Sequence, residues 1–331
     1  MPMTRAMADV PLLMIAFNRP EKTERALEAV RAAAPRQLYV AVDGPRADHP
    51  DDEDRCARTR RLFGRVDWPC DLHTLFRERN LGCKQGVGTA IDWFLSEVEA
   101  GIILEDDCLP TADFFPFCHE LLDRYRDTAE VMMIGGHNPL GAWNRGGAAG
   151  CGYVFSRTCP IWGWATWRRA WAHYDPAMTR WGDPRAREAV RARMPRTEFR
   201  ITRQRFDSVY DGTRDTWDFG WAFAMLNAGG VSVLPASNLV ANIGFDDEAT
   251  HTRIPWSHEA GVPTHPLAFP LRHPASTVPD DDFERALFRR RFPLARRLGT
   301  ALPPPLQEGL RAALRRLVAA APGATSPAGR R

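Results

Sequence analysis

Three consecutive acids, Glu105-Asp106-Asp107, follow the apolar run Ile102-Ile103-Leu104. Adjacent carboxylates at the end of a buried strand repel one another and are costly there unless a cation neutralises them. A hard divalent ion with oxygen ligands would do so. Such an ion commonly takes one or two carboxylates and completes its shell with substrate phosphates. The same acids also suit a solvated loop, or the N-terminal approach to a helix beginning near Ala112. Type and spacing leave both readings open.

Competing phosphate and hydrolase patterns are absent. Gly86-Val87-Gly88 lacks the third glycine of a dinucleotide fingerprint and follows a turn, not a strand. No Gly-Lys-Ser/Thr phosphate loop occurs, and His119-Glu120 has no second histidine four residues after the first. No Gly-x-Ser-x-Gly elbow occurs either. These absences argue against hydride transfer, P-loop hydrolysis, zinc proteolysis and serine hydrolysis.

The elements that must carry the acids are those of a globular chain. It has 331 residues, 44% hydrophobic and 26% charged, with 11 Trp and 17 Phe to build a core. No apolar run approaches the ~18–20 residues of a membrane span. The opening MPMTRAMADVPLLMIAF holds a short apolar stretch and no small-residue cleavage site, so no signal peptide is expected. Seven cysteines without a C-x-x-C pair suit reduced thiols in a cytoplasm. Net charge is +3, but after residue 282 eleven arginines face only Glu284 and Glu308. That segment therefore carries +9 and residues 1–282 carry −6. A mildly acidic body disfavours nucleic acid as a partner. Lys22 and Lys84 are the only lysines.

The first hundred residues alternate strand and helix. Val10–Phe17 is a continuous apolar run, expected of a strand buried on both faces. A helix is predicted over Glu21–Ala33, strands over Gln37–Val42 and Asp71–Phe76, and a helix within Asp48–Phe63. Another helix is predicted over Gln85–Glu99, then a strand over Gly101–Leu104 that ends in the acids. This order implies βαβ units and a mainly parallel sheet, whose ligands bind beyond the carboxyl ends of the strands. Asn18, Asp43, Arg77–Asn80 and Glu105–Asp107 all fall at that edge. The second half is less regular. Helices are expected over Ala112–Arg126, around Arg185–Phe206 and over Thr213–Asn227, and strands over Val131–Ile134, Val231–Leu234 and Asn238–Ala241.

Several further marks occur in order. They are Ala16-Phe17-Asn18-Arg19-Pro20, Val40-Ala41-Val42-Asp43-Gly44, Arg79-Asn80-Leu81-Gly82 and the acid triplet with Phe114-Phe115 beyond it. Then come Ile161-Trp162-Gly163-Trp164-Ala165-Thr166-Trp167, Thr216-Trp217-Asp218-Phe219-Gly220-Trp221 and Asn238-Leu239-Val240-Ala241-Asn242-Ile243-Gly244-Phe245. With these the chain resembles nucleotide-sugar-dependent glycosyltransferases of the GT-A fold. Within that fold it is similar to the N-acetylglucosaminyltransferase I-like group and related bacterial sugar transferases of polysaccharide biosynthesis. The likeness covers roughly residues 10–275.

The resemblance implies an α/β GT-A domain over residues 1–280, a mainly parallel central sheet flanked by helices. Its donor-binding half covers about 10–135 and its acceptor and catalytic half about 136–280. Residues 281–331 would form a basic amphipathic helical tail with a disordered end. Asp43 would meet the donor's base, Arg19 would approach the nucleotide, and Asn18 would shape its loop. Glu105 and Asp106 would lie near ribose and metal, with Asp107 the direct ligand of Mn²⁺ or Mg²⁺, and His251 a further contact to metal or diphosphate. Trp162, Gly163 and Trp164 would pack around the donor sugar. Asp218 would be the catalytic base. The family often has two adjacent acids after the Trp, and here Phe219 follows Asp218, so Asp215 and Asp211 remain alternatives.

Each of these positions also has a purely structural reading. Asp43 could fix a turn with Gly44, Asp218 could cap a helix, and the tryptophans could be core. His251 could be structural. Arg79 and Lys84 could meet a diphosphate or form a solvated face, and Asn80 belongs with them to the set expected to bind the nucleotide sugar.

The expected activity is transfer of a sugar, with inversion, from a nucleotide-diphosphate sugar (a UDP-linked one) to a saccharide, lipid-linked or protein hydroxyl. A sugar nucleotidyltransferase and a non-catalytic carbohydrate-binding protein are the alternatives. The former would carry a glycine- and lysine-rich loop where Asn18-Arg19-Pro20-Glu21-Lys22 stands. In the tail, Leu306, Leu310, Ala313, Leu314 and Leu317 recur at helical spacing beside Arg311, Arg315 and Arg316. Such a helix would lie on an anionic membrane surface or dock on the catalytic domain. A cytoplasmic enzyme is expected, peripheral on the inner membrane face only under the first of these two readings of the tail.

Overall fold

A computed structural model describes residues 9–245 and 261–292. The chain divides into two compact units, residues 1–287 and 288–331. The expected contact from His251 and the tail beyond residue 292 lie outside the described residues.

In chain order the strands are β1 (Leu12–Ala16), β2 (Gln37–Val42), β3 (Asp71–Phe76), β4 (Ala100–Glu105), β5 (Cys108–Pro110), β6 (Val131–Gly135), β7 (Tyr153–Ser156), β8 (Trp164–Trp167), β9 (Val231–Pro235) and β10 (Val240–Asn242). The helices are α1 (Pro20–Ala33), α2 (Asp52–Phe63), α3 (Gly82–Glu97), α4 (Phe114–Arg124), α5 (Arg168–Trp171), α6 (Pro184–Arg191), α7 (Arg196–Tyr210), α8 (Asp218–Asn227) and α9 (Asp281–Arg291). Eight strands form one sheet in the order β3-β2-β1-β4-β8-β6-β9-β7. The first four are mutually parallel, as are β6 and β9, while β8 and β7 run antiparallel to their neighbours. The architecture is α/β, with a mostly parallel mixed sheet flanked by helices. A small antiparallel pair joins β5 to β10. Among the described residues no helix is long and apolar enough to cross a membrane.

The apolar run of β1 is explained by its two buried faces. Leu12, Met14 and Ala16 pack with Ala26, Val30 and Phe63 of α1 and α2 on one side. Leu13 and Ile15 pack with Ile91 and Phe94 of α3 on the other, where Trp171 and Trp221 also lie. A third cluster, around Trp181, Phe206 and Phe223, joins α6, α7 and α8.

The structure adds to the expected elements. Strands β5, β7 and β8 appear where none was predicted. The helical stretch around Arg185–Phe206 is two helices, α6 and α7, divided near Pro195, the residue preceding α7. Helix α3 starts three residues earlier than predicted because Asn80 Oδ1 accepts the Gly82 N–H (3.1 Å).

Two close arrangements set the loops at the carboxyl edge. At Gly44 a Cβ would fall inside the backbone of Arg79, so the loop after β2 packs main chain to main chain on the loop after β3. Nearby, the buried Asp52 at the head of α2 accepts from Asn18 Nδ2 (2.6 Å) and from Arg46 Nε (2.6 Å), Nη2 (3.0 Å) and N (3.2 Å). Burial alone would raise its pKa, but these bonds and the Arg46 charge bring it down to about 2.

Gly44→Ala should lose on the order of 3 kcal/mol, since backbone atoms, not a flexible side chain, occupy the space; chemical denaturation measures this. Asp52 has a native pKa below its unfolded value, so its contribution is complete above about pH 4 and disappears as pH falls toward 2. Asp52→Asn should therefore cost on the order of 2 kcal/mol at pH 7. Its penalty should shrink between pH 4 and pH 2 in urea melts run in parallel with the unaltered chain.

Candidate active site

The parallel strands β1, β2, β3 and β4 end along one edge, so the residues that follow them are gathered there without further devices. Arg19 follows β1, Asp43 follows β2, Arg79 and Asn80 follow β3, and Glu105 to Asp107 close β4.

The acid triplet meets a cation, and that cation is Arg19. Its Nη1 donates to Asp107 Oδ2 (3.0 Å), its Nη2 pairs with Asp106 Oδ1, and its Nε reaches Asp106 Oδ2 (3.4 Å). Asp106 is 2% exposed, and its Oδ2 also accepts the Phe17 N–H (3.3 Å). Burial pushes the Asp106 pKa up against the pull of Arg19. Burial would lower the Arg19 pKa, but Asp106 and Asp107 together raise it. Glu105 is pushed up to about 8, first by burial and then by Asp107 and Asp106, with Asp218 adding to the effect.

Asp107 keeps 15% exposure, which distinguishes it from Asp106 as a group able to meet a ligand. Its Oδ1 accepts from Asn242 Nδ2 (3.2 Å) on β10, and its carbonyl accepts the Ile243 N–H (2.8 Å). Asn242 Oδ1 in turn accepts the Gly244 N–H (2.7 Å). A Cβ at Gly244 would collide with Asp107 Oδ2, so only glycine leaves that oxygen clear. Among the described residues no group of three or more His, Cys, Asp and Glu side chains is arranged to hold a metal ion. What this edge offers a hard ion is one partly exposed carboxylate with open lone pairs. That donor set fits an ion shared with substrate phosphates.

Asp43 fixes its turn. Oδ1 accepts from Gly44 N (2.9 Å), and Oδ2 accepts from Asn80 Nδ2 (3.0 Å) and Leu81 N (3.0 Å). Burial pushes its pKa up against these bonds. Asn80 thus both braces Asp43 and caps α3. Asn18 donates to Asp52 and so ties the loop after β1 to the head of α2. The Arg79 side chain is exposed, and Lys84 stands in the first turn of α3.

Asp218 opens α8 beside this edge. Its Oδ1 accepts from Thr216 Oγ1, and burial raises its pKa against that bond. Its charge is felt by Glu105, Cys83 and Tyr174. Cys83 is pushed up to about 12 by burial, then by Glu105, Asp218 and Asp215. Asp215 is exposed and accepts the Lys84 N–H (3.4 Å). Asp211 is exposed at the end of α7 and bonds its own Thr213. The structure therefore puts Asp218 within electrostatic reach of Glu105, uses Asp215 at the head of α3, and spends Asp211 on a local turn.

The tryptophan expectation needs one correction. Trp164 is 0% exposed, stacked on Trp217 (5.7 Å) with Trp171 and Trp221 around it. No ring face is left for a sugar, and Trp164 supports Trp217, the neighbour of Asp218. Trp162 is partly exposed, between His137 (4.5 Å) and Phe245 (5.2 Å). Gly163 holds φ +62° against Val240 and Leu104.

Asp52, Asn242 and Gly244 were not singled out for these roles from sequence. Asn242 and Gly244 stood within a quoted stretch, but their approach to Asp107 depends on the pairing of β10 with β5, which no local pattern announces. Compared with known proteins, the chain matches no family model and no curated relative.

Proposed function

We propose that the chain is a metal-dependent glycosyltransferase of the GT-A type, transferring a sugar from a nucleotide-diphosphate donor to a hydroxyl with inversion. The observation that carries this reading is the pairing of Arg19 with Asp106 and Asp107 at the carboxyl edge of one parallel sheet, with Asp218 near enough for its charge to reach Glu105. A hard ion such as Mn²⁺ or Mg²⁺, held by Asp107 and the donor's phosphates, would supply charge stabilisation for the leaving nucleotide. Asp106 is committed to Arg19 and acts by fixing the guanidinium.

The remaining work falls to the chain's own groups. Thr216 holds Oδ1 of Asp218, and this carboxylate would take the acceptor's proton. A carboxylate whose pKa is raised by burial is better matched to that task than a solvated one. One base and direct displacement give inversion. The turn braced by Asp43 and Asn80 would form the wall for the base, with Glu105 toward the ribose and Arg79 and Lys84 toward the diphosphate. Trp162 would meet the sugar. The loop after β1 is filled by the Asn18–Asp52 bond and not by an open glycine cradle, which favours this reading over a nucleotidyltransferase.

Nucleoside diphosphate release from a panel of nucleotide sugars with Mn²⁺ tests the activity. Asp107→Ala should abolish release while the chain stays folded, because the relief of like-charge repulsion offsets part of the lost Arg19 and Asn242 bonds and Asp106 still pairs with Arg19. Asp218→Asn should keep donor binding and lower turnover about 10²–10⁴-fold, the range for losing a general base. Asp215→Asn should stay near normal. Near-normal turnover in Asp107→Ala, or collapse of Asp215→Asn alone, would overturn the corresponding assignment.

A further inference from the structure

Among the described residues, strand β3 stands at the end of the eight-stranded sheet and pairs on one side only, with β2. Asp71, Leu72, His73, Thr74 and Phe76 are all exposed, with Leu72 at 39% and Phe76 at 40%. Edge strands in natural proteins are normally blunted by lysine, proline or a bulge. The run Asp71-Leu72-His73-Thr74-Leu75-Phe76 has no lysine or proline, and its register with β2 is unbroken.

The hydrogen-bond phase of the strand is fixed by its ends. Asp71 N donates to Arg36 O (2.7 Å), and Arg77 N donates to Val42 O (3.0 Å). Main-chain groups alternate sides along a strand, so the odd-numbered residues bond β2. Leu72, Thr74 and Phe76 therefore aim their N–H and C=O groups outward.

We propose that β3 pairs antiparallel with β3 of a second copy of this chain, across a two-fold axis at Thr74, and continues the sheet from one copy into the other. The phase allows this register. Thr74 faces Thr74 of the second copy as a hydrogen-bonded pair, and Leu72 faces Phe76 in the same way, twice by symmetry. The outward groups of all three residues are thereby satisfied. The side chains agree with the backbone: the two exposed apolar residues meet each other, and threonine meets threonine on the axis, a favourable cross-strand pair. In the same register Asp71 faces Arg77 of the second copy. That position is not hydrogen-bonded, so its side chains come closest. The charges at the two ends of the strand are thus complementary to themselves under the two-fold. A register shifted by one residue would place inward-bonded groups opposite outward ones and forfeit the ladder.

Sedimentation velocity of the full chain over about 1–100 μM should show a monomer–dimer equilibrium. Thr74→Pro removes the N–H donor on the axis without touching a bond to β2, and should weaken the dimer at least about tenfold. Asp71→Arg and Arg77→Asp each place like charges opposite and should weaken it too. The double variant exchanges the pair and should recover association. The charge exchange keeps the proposal testable should Thr74→Pro fail to fold. A chain that stays monomeric throughout overturns the proposal. So does a dimer that persists in Thr74→Pro or in both single charge variants, or a double variant no tighter than the singles.

Discussion

The arrangement rests on one guanidinium. Asp106 is almost fully buried between two other acids, and a carboxylate so placed tolerates its surroundings only when a cation and hydrogen bonds are supplied with it. Arg19 supplies both, spanning Asp106 and Asp107. Its own backbone is held in turn: the carbonyl of Arg19 accepts the N–H and the hydroxyl of Thr23 in the first turn of α1 (both 2.9 Å). The loop after β1, the start of α1 and the end of β4 are therefore tied at a single point. The acids can stand side by side at the end of β4 because Arg19, in the loop after β1, neutralises them.

Much of the first half was legible because its forces are local. A continuous apolar run marked β1 as buried on both faces, and Asp43-Gly44 marked the turn that ends β2. The acids after Leu104 marked the end of β4. The edge that gathers the site follows from parallel topology, and βαβ order alone implies it. Reading β3 as a strand was also correct, although the pattern gave no sign that it would lie exposed at the edge.

The second half resisted for physical reasons. Strand β8 is Trp-Ala-Thr-Trp, buried on both faces and four residues long, so it has neither alternation nor length to announce itself. Its tryptophans read as a sugar platform, and burial shows Trp164 to be core. Asn242 and Asp107 lie 135 residues apart and meet only because β10 pairs with β5. Asp52 was one acid in a charged stretch, and nothing in its neighbours foretold that Arg46 and Asn18 would close over it.

Helix α8 has two sides with different obligations. Trp221, Ala224 and Met225 belong to the core beneath the sheet, whereas Phe223 and Leu226 belong to the separate cluster shared with α6 and α7. The helix is a party wall between two rooms. Remodelling α6 and α7, which supply their own packing, reaches the core beneath the sheet through that wall, and the residue at its head is Asp218. Over evolutionary time such a plan lets the outer room be refurnished, in length and in surface chemistry, while the strands and their acids stay in place.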